Sequence, residues 1–224
     1  LQNRVQRGCI KTKKRALMFE NCGFTELDLN SFNTSNVTNM SYMFNGCVNL
    51  AVLHIENWDI SSVQRLYFTF SRCESLKEID LSKWDTSNVT DMGGLFNDCH
   101  SLTDVNLNGW NTSKVDDMTF MFSDCDSLKK LDLSSFTTEA ATTHVIWMFL
   151  RCENLEELDI RNFGPITDFD ESFVDVEKLQ KVTIGNETVF DGNYKYYPYA
   201  ASYSPYDGRW VKEDDESQVL TGSE

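Results

Sequence analysis

What the chain lacks narrows its function before any motif is considered. No stretch approaches the ~18–20 consecutive apolar residues that a membrane span requires. The opening LQNRVQRGCIKTKKR has no apolar core of the kind a secretory leader carries. Paired short-spaced ligands such as Cys-x-x-Cys are absent, which argues against a zinc site. No glycine-rich phosphate loop and no Gly-x-Ser-x-Gly occurs, so neither nucleotide binding nor serine hydrolysis announces itself. Positive charge is scarce: the formal net charge is −15, which disfavours nucleic acid and anionic membrane as partners. The exception is residues 1–15, where Arg4, Arg7, Lys11, Lys13, Lys14 and Arg15 meet no acidic residue. This leader is read as a solvated cap rather than a phosphate-binding arm.

What is present is one repeated phrase. MFSDCDSLKKLDLSSF (Met121 to Phe136) is its clearest copy, with the pattern Phe-x-x-Cys-x-x-Leu-x-x-Leu-x-Leu-x-x-Trp/Phe. Cysteines mark the period at Cys22, Cys47, Cys73, Cys99, Cys125 and Cys152. A near-constant spacing in this range is the signature of a stacked repeat protein, in which each coil buries its apolar face only against its neighbours. The chain begins inside this pattern and without Met, as expected of a piece of a longer protein.

Paired apolar positions recur as Leu27/Leu29, Leu53/Ile55, Ile79/Leu81, Val105/Leu107, Leu131/Leu133, Leu158/Ile160 and Val182/Ile184. Alternation of this kind predicts seven short strands stacking as a parallel ladder. Three residues on, Phe32, Trp58, Trp84, Trp110, Phe136 and Phe163 are placed to fill a corner of the coil. Segments such as Asp85 to Met92 read as polar turns. The spacing of four from Met92 to Phe96 predicts that each coil returns through a short helical or 3₁₀ segment. The fold expected is an α/β repeat solenoid with its parallel strands on the concave face. Residues 1–18 read as an N-terminal cap or truncated coil, 19–189 as the solenoid, 190–212 as an aromatic-rich C-terminal cap and 213–224 as a flexible acidic tail.

The cysteines are read as a reduced internal column. In the last copy Val176 takes their place, so the position wants a small buried hydrophobe, a role free Cys fills. A thiolate is disfavoured there. His54, His100 and His144 fall at unrelated repeat positions and imply no Cys–His pair. No catalytic residue, cofactor or metal is expected.

The solvent-facing residue between each strand pair forms a column: Asp28, His54, Asp80, Asn106, Asp132, Asp159 and Thr183. With Lys77, Lys129, Glu157 and Lys181 beside it, this column is the candidate ligand-binding face, because these letters vary while the framework does not. Asp132 and Asp159 on adjacent rungs, next to Glu156 and Glu157, also suit a cation. The absence of any EF-hand-like run favours an ordinary solvated acidic face instead. The second candidate is the stretch holding Tyr197, Tyr199, Tyr203, Tyr206 and Trp210, whose rings could stack on a sugar or peptide. Covering the open end of the last coil is the preferred reading of that stretch.

The phrase joined to WDTSNVTDM (Trp84 to Met92) resembles the BspA-like leucine-rich repeats of bacterial surface proteins, in their variant of about 26 residues. The resemblance spans about residues 18–184. It implies a curved, right-handed leucine-rich-repeat solenoid outside the cell; a non-catalytic monomer is expected. It further implies adhesion to a host or community protein or glycan. The rival expectation is a structural or intracellular scaffold whose repeats only space other domains, a role that reduced thiols would suit.

Overall fold

A computed structural model describes residues 16–138, 143–164, 172–185, 210–213 and 218–222. Its frame is seven short parallel strands, one per coil. They are β1 (Glu26–Asp28), β2 (Val52–His54), β3 (Glu78–Asp80), β4 (Asp104–Asn106), β5 (Lys130–Asp132), β6 (Glu157–Ile160) and β7 (Lys181–Ile184). In β1 to β5 the central residue is the first apolar residue of a predicted pair, buried between more exposed neighbours, while β6 and β7 extend to include both members of the pair. Register follows the repeat, with Leu27 opposite Leu53, Ile79 opposite Val105, and Leu131 opposite Leu158 and then Val182. The chain is thus a parallel β-solenoid of about six turns, as six intervals separate seven strands.

Inside, identical positions stack on themselves. Phe19, Phe44, Phe70, Phe96, Phe122 and Phe149 form a column of near-parallel rings, with centroids 5.4 to 6.2 Å apart. Trp84, Trp110 and Phe136 form a second at the corner, while Phe32 at the same repeat position stays partly exposed. Cys22 to Cys152 line a third column as fully buried thiols without disulfides. Offset stacking suits aromatic quadrupoles and leaves no gap between coils.

The expected helical returns are not there: among the described residues no helix occurs. Met40 and Phe44 are both buried, as a spacing of four requires, but tandem turns connect them. Met43 N–H donates to Met40 O and Cys47 N–H to Phe44 O within the coil. Between them, Met40, Tyr42, Phe44 and Gly46 send their N–H groups to Arg65, Tyr67, Thr69 and Ser71 of the next coil. Left-handed residues every fourth position, Tyr42 (φ 58) and Gly46 (φ 72), turn alternate amides outward, and Phe68, Arg72, Asp98, Phe120, Asp124, Trp147 and Arg151 repeat the device. A helix would consume those donors within its own coil and leave the neighbouring carbonyls unpaired. Inter-coil bonding outweighs the local cost of positive φ.

At the far end, β9 (Gln218–Gly222) runs antiparallel along β7, and β8 (Trp210–Glu213) pairs with β9. Residues 218–222, read from sequence as part of a frayed acidic segment, therefore occupy the edge of the last coil. Of the aromatic tail candidates, Tyr197, Tyr199, Tyr203 and Tyr206 lie outside the described residues, and Trp210 opens β8.

Candidate ligand-binding face

Within each of three paired groups of strands, the predicted column residues are register partners: Asp28 beside His54, Asp80 beside Asn106, and Asp132 beside Asp159 and then Thr183. Thr183 is buried, so the line of exposed side chains stops at Asp159.

Most of the column also has a local duty. Asp28, Asp80, Asn106, Asp132 and Asp159 each accept the backbone N–H two residues on, at 2.9 to 3.2 Å, closing an Asx turn as the chain leaves the strand. Asp80 is held below the usual carboxylate range by the bonds it accepts from Ser82. His54 breaks the series and pairs instead with Glu56, Nδ1 to Oε1, at 3.1 Å. That contact raises the His54 pKa. The Asn30 amide donates to Glu56 at 2.6 Å and, with the His54 contact, draws the Glu56 pKa down to about 2.

Charge is uneven along the face. Over β1 to β4 it presents Glu26, Asp28, Glu56, Glu78, Asp80 and Asp104. Over β5 to β7 the cations Lys130, Arg161 and Lys181 balance Asp132, Glu157 and Asp159. Lys130 meets Glu157 across the rung at 2.6 Å, and Arg161 grips Asp159 with two nitrogens. Exposed pairs like these hold side chains in place more than they stabilise the fold.

Two shallow depressions lie along the face and meet at Asp104 and Asn106 of β4. The larger, 480 Å³, brings together the predicted Asn106, Asp132, Glu157, Asp159 and Lys181, with Asp104, Lys130 and Arg161. The smaller, 370 Å³, gathers His54 and Asp80 with Val52, Glu56 and Glu78. Asp28, Lys77 and Lys129 line neither. Sequence reading missed Glu56, Asp104 and Arg161. The available signal was their position: Glu56 and Arg161 stand two residues beyond the column, on the same side of the chain. Among the described residues no group of three or more His, Cys, Asp or Glu is placed to hold a metal ion. Asp132 and Asp159 spend oxygens on turns and on Arg161 rather than converging.

These features define a repeat solenoid whose in-register strand face carries the changing side chains. The chain belongs to the family described as Mycoplasma protein of unknown function, DUF285, whose model matches residues 13–130 and 69–186. Among solved structures it is similar to a leucine-rich repeat protein from Bacteroides ovatus, with 20% identity and a TM-score of 0.33. That match covers 75% of this chain and 57% of the other, so the chain spans little more than half of that relative's length. No curated protein matches it.

Proposed function

We propose that the chain is a non-catalytic binding module of a bacterial cell-surface protein, built on the BspA-like variant of the leucine-rich repeat. It recognises a host or community protein or glycan through its strand face, acting as a monomer outside the cell. The observation that carries this is the contrast between inward and outward positions along the strands, which pair as β1–β2, β3–β4 and β5–β6–β7. Core positions repeat as Leu, Cys and Phe, while the outward positions run Glu, Val, Glu, Asp, Lys, Glu, Lys and Asp, His, Asp, Asn, Asp, Asp on a backbone held in register. Rigid display of changing polar side chains lowers the ordering cost of binding. The β4–β7 depression, with both signs of charge already oriented, is where contact is centred.

Glycan and host-protein arrays probed with the wild type and with the double variant Lys130→Ala/Arg161→Ala test this reading. A ligand lost by the variant at unchanged melting temperature supports it. Ligands retained in full by the variant, or none on any array, overturn it in favour of a scaffold that spaces other domains.

A further inference from the structure

The return side of the coils carries a second ladder that the strand-face reading does not use. Asn39, Arg65, Asp91, Asp117 and His144 bridge one another in parallel, rung to rung. Beside its first two rungs lies a cluster of partly exposed rings. Tyr42 meets Tyr67 edge-on at 5.4 Å and stacks on Phe68 at 5.7 Å, while Tyr67 and Phe68 pack at 4.5 Å. The next coil has Gly93 and Gly94 where side chains would collide. A Cβ on Gly94 would sit 2.5 Å from the Phe68 ring, and one on Gly93 would sit 3.1 Å from the Tyr67 ring and 3.3 Å from Asp117 Oδ2. The glycine pair thus leaves room for both rings against the next coil, and Gly93 lies between Tyr67 and the Asp117 carboxylate. One coil further, Phe120 stacks on Trp147 at 4.8 Å.

Asp91 and Asp117 are adjacent rungs of like charge, and each spends one oxygen on an Asx turn, to Gly93 N–H and Thr119 N–H. Neither has an ion-pair partner within 4 Å among the described residues. Burial and then the neighbouring Asp117 disfavour charge on Asp91 more than the Gly93 N–H and the Arg65 charge favour it, so an added cation would relieve this pair. Partly exposed rings beside two carboxylates that, among the described residues, share only the nearby charge of Arg65 and form no ion pair, on a chain of net charge −15, complement an ammonium or guanidinium that arrives with its own apolar stem.

We propose that Tyr42, Tyr67 and Phe68, with Asp91 and Asp117, form a second docking surface that takes Lys or Arg side chains from an extended basic segment of a partner protein. The surface is separate from the strand face, and neither reading depends on the other.

The test uses a fluorescently labelled Lys-Gly repeat peptide, followed by anisotropy at low salt. Asp91→Asn/Asp117→Asn removes charge but keeps both turn acceptors, as Asn39 does at the same repeat position. It is expected to weaken binding by about tenfold, and Tyr67→Leu by several-fold, at unchanged melting temperature. Asp80→Asn/Asp132→Asn makes the same charge change on the strand face, where Asn106 shows the turn is kept. That control is expected to leave affinity within about twofold, the residual effect of screened distant charge. Equal losses in both double variants would mean diffuse attraction only and overturn the proposal. So would unaltered binding in the Asp91/Asp117 variant, or displacement of the peptide by a neutral oligosaccharide.

Discussion

The thiol of Cys99 donates a hydrogen bond of 3.2 Å to the carbonyl of Phe70, one coil earlier. The same contact joins Cys47 to Phe19, Cys73 to Phe44, Cys125 to Phe96 and Cys152 to Phe122, at 3.0 to 3.4 Å. The column is therefore a line of weak donors as well as small apolar groups. Phe70 O also accepts Cys73 N–H, so losing one thiol orphans no carbonyl. Cys99→Val should fold and lose about 1–2 kcal/mol in urea denaturation, from the missing bond and the added methyl. An unfolded variant would refute the idea that Val176 marks an equivalent site.

Burial pushes the thiols of Cys73, Cys99 and Cys125 far up, and that of Cys152 to about 12. A raised folded-state value means this stability is complete below the unfolded thiol value of about 8.5 and is lost as pH rises toward 12. Under reducing conditions the melting temperature should hold to about pH 8.5 and then fall steeply. Cys125→Val/Cys152→Val should flatten that fall; an unchanged slope would assign alkaline lability elsewhere.

Trp58 and Trp110 donate their indole N–H to Leu29 O and Leu81 O, whereas the buried Trp84 indole N–H has no partner among the described residues. Phe136 and Phe163 already serve at this corner. Trp84→Phe should thus be less damaging than Trp110→Phe by about 1–2 kcal/mol, because only the second loses a made bond. Paired denaturation curves decide it; equal losses would count against the assignment.

Asp98 is left-handed (φ 58) at the position where Gly46 (φ 72) stands two coils earlier. Burial and then Asp124 raise its pKa, so its stability contribution is complete below the ordinary carboxylate value and lost as pH rises through the folded one. Asp98→Gly should stabilise by about 0.5–1 kcal/mol at pH 7, from relief of the left-handed side-chain cost. The gain should shrink at pH 4, which chemical denaturation at both pH values would show.

The register of β9 on β7 runs from Lys181 opposite Thr221 to Ile184 opposite Gln218. Deleting residues 190–224 bares that edge and should lower the melting temperature by several degrees, since edge pairing supports only the last coils of a stack. An unchanged thermogram would show that β7 needs no cover.

Much of the scaffold was legible because it repeats. Leu27 against Leu53, the Phe19-to-Phe149 ring column and the reduced cysteines all follow from period and alternation alone. The turn duty of the Asp column was half-legible, since Asp80-Leu81-Ser82 and Asp132-Leu133-Ser134 carry an Asx-turn pattern that was read as display. The return path was not legible. Met92 and Phe96 share a face whether a helix or tandem turns joins them, and the choice depends on left-handed φ at residues such as Phe68 and Asp98, which no local preference favours. The Tyr42–Tyr67–Phe68 cluster escaped notice although its position is aromatic in Tyr42, Phe68, Phe120 and Trp147, because Gly94 interrupts the series and the left-handed turn that exposes these rings is not a local preference.

The sequence by itself determined the number of coils, their register and the inward side chains, because burial of a periodic apolar set admits one stacking. Only the tertiary structure decided where each backbone N–H goes. Those donors choose between their own coil and the next, and that choice exists only once a neighbouring coil is in place.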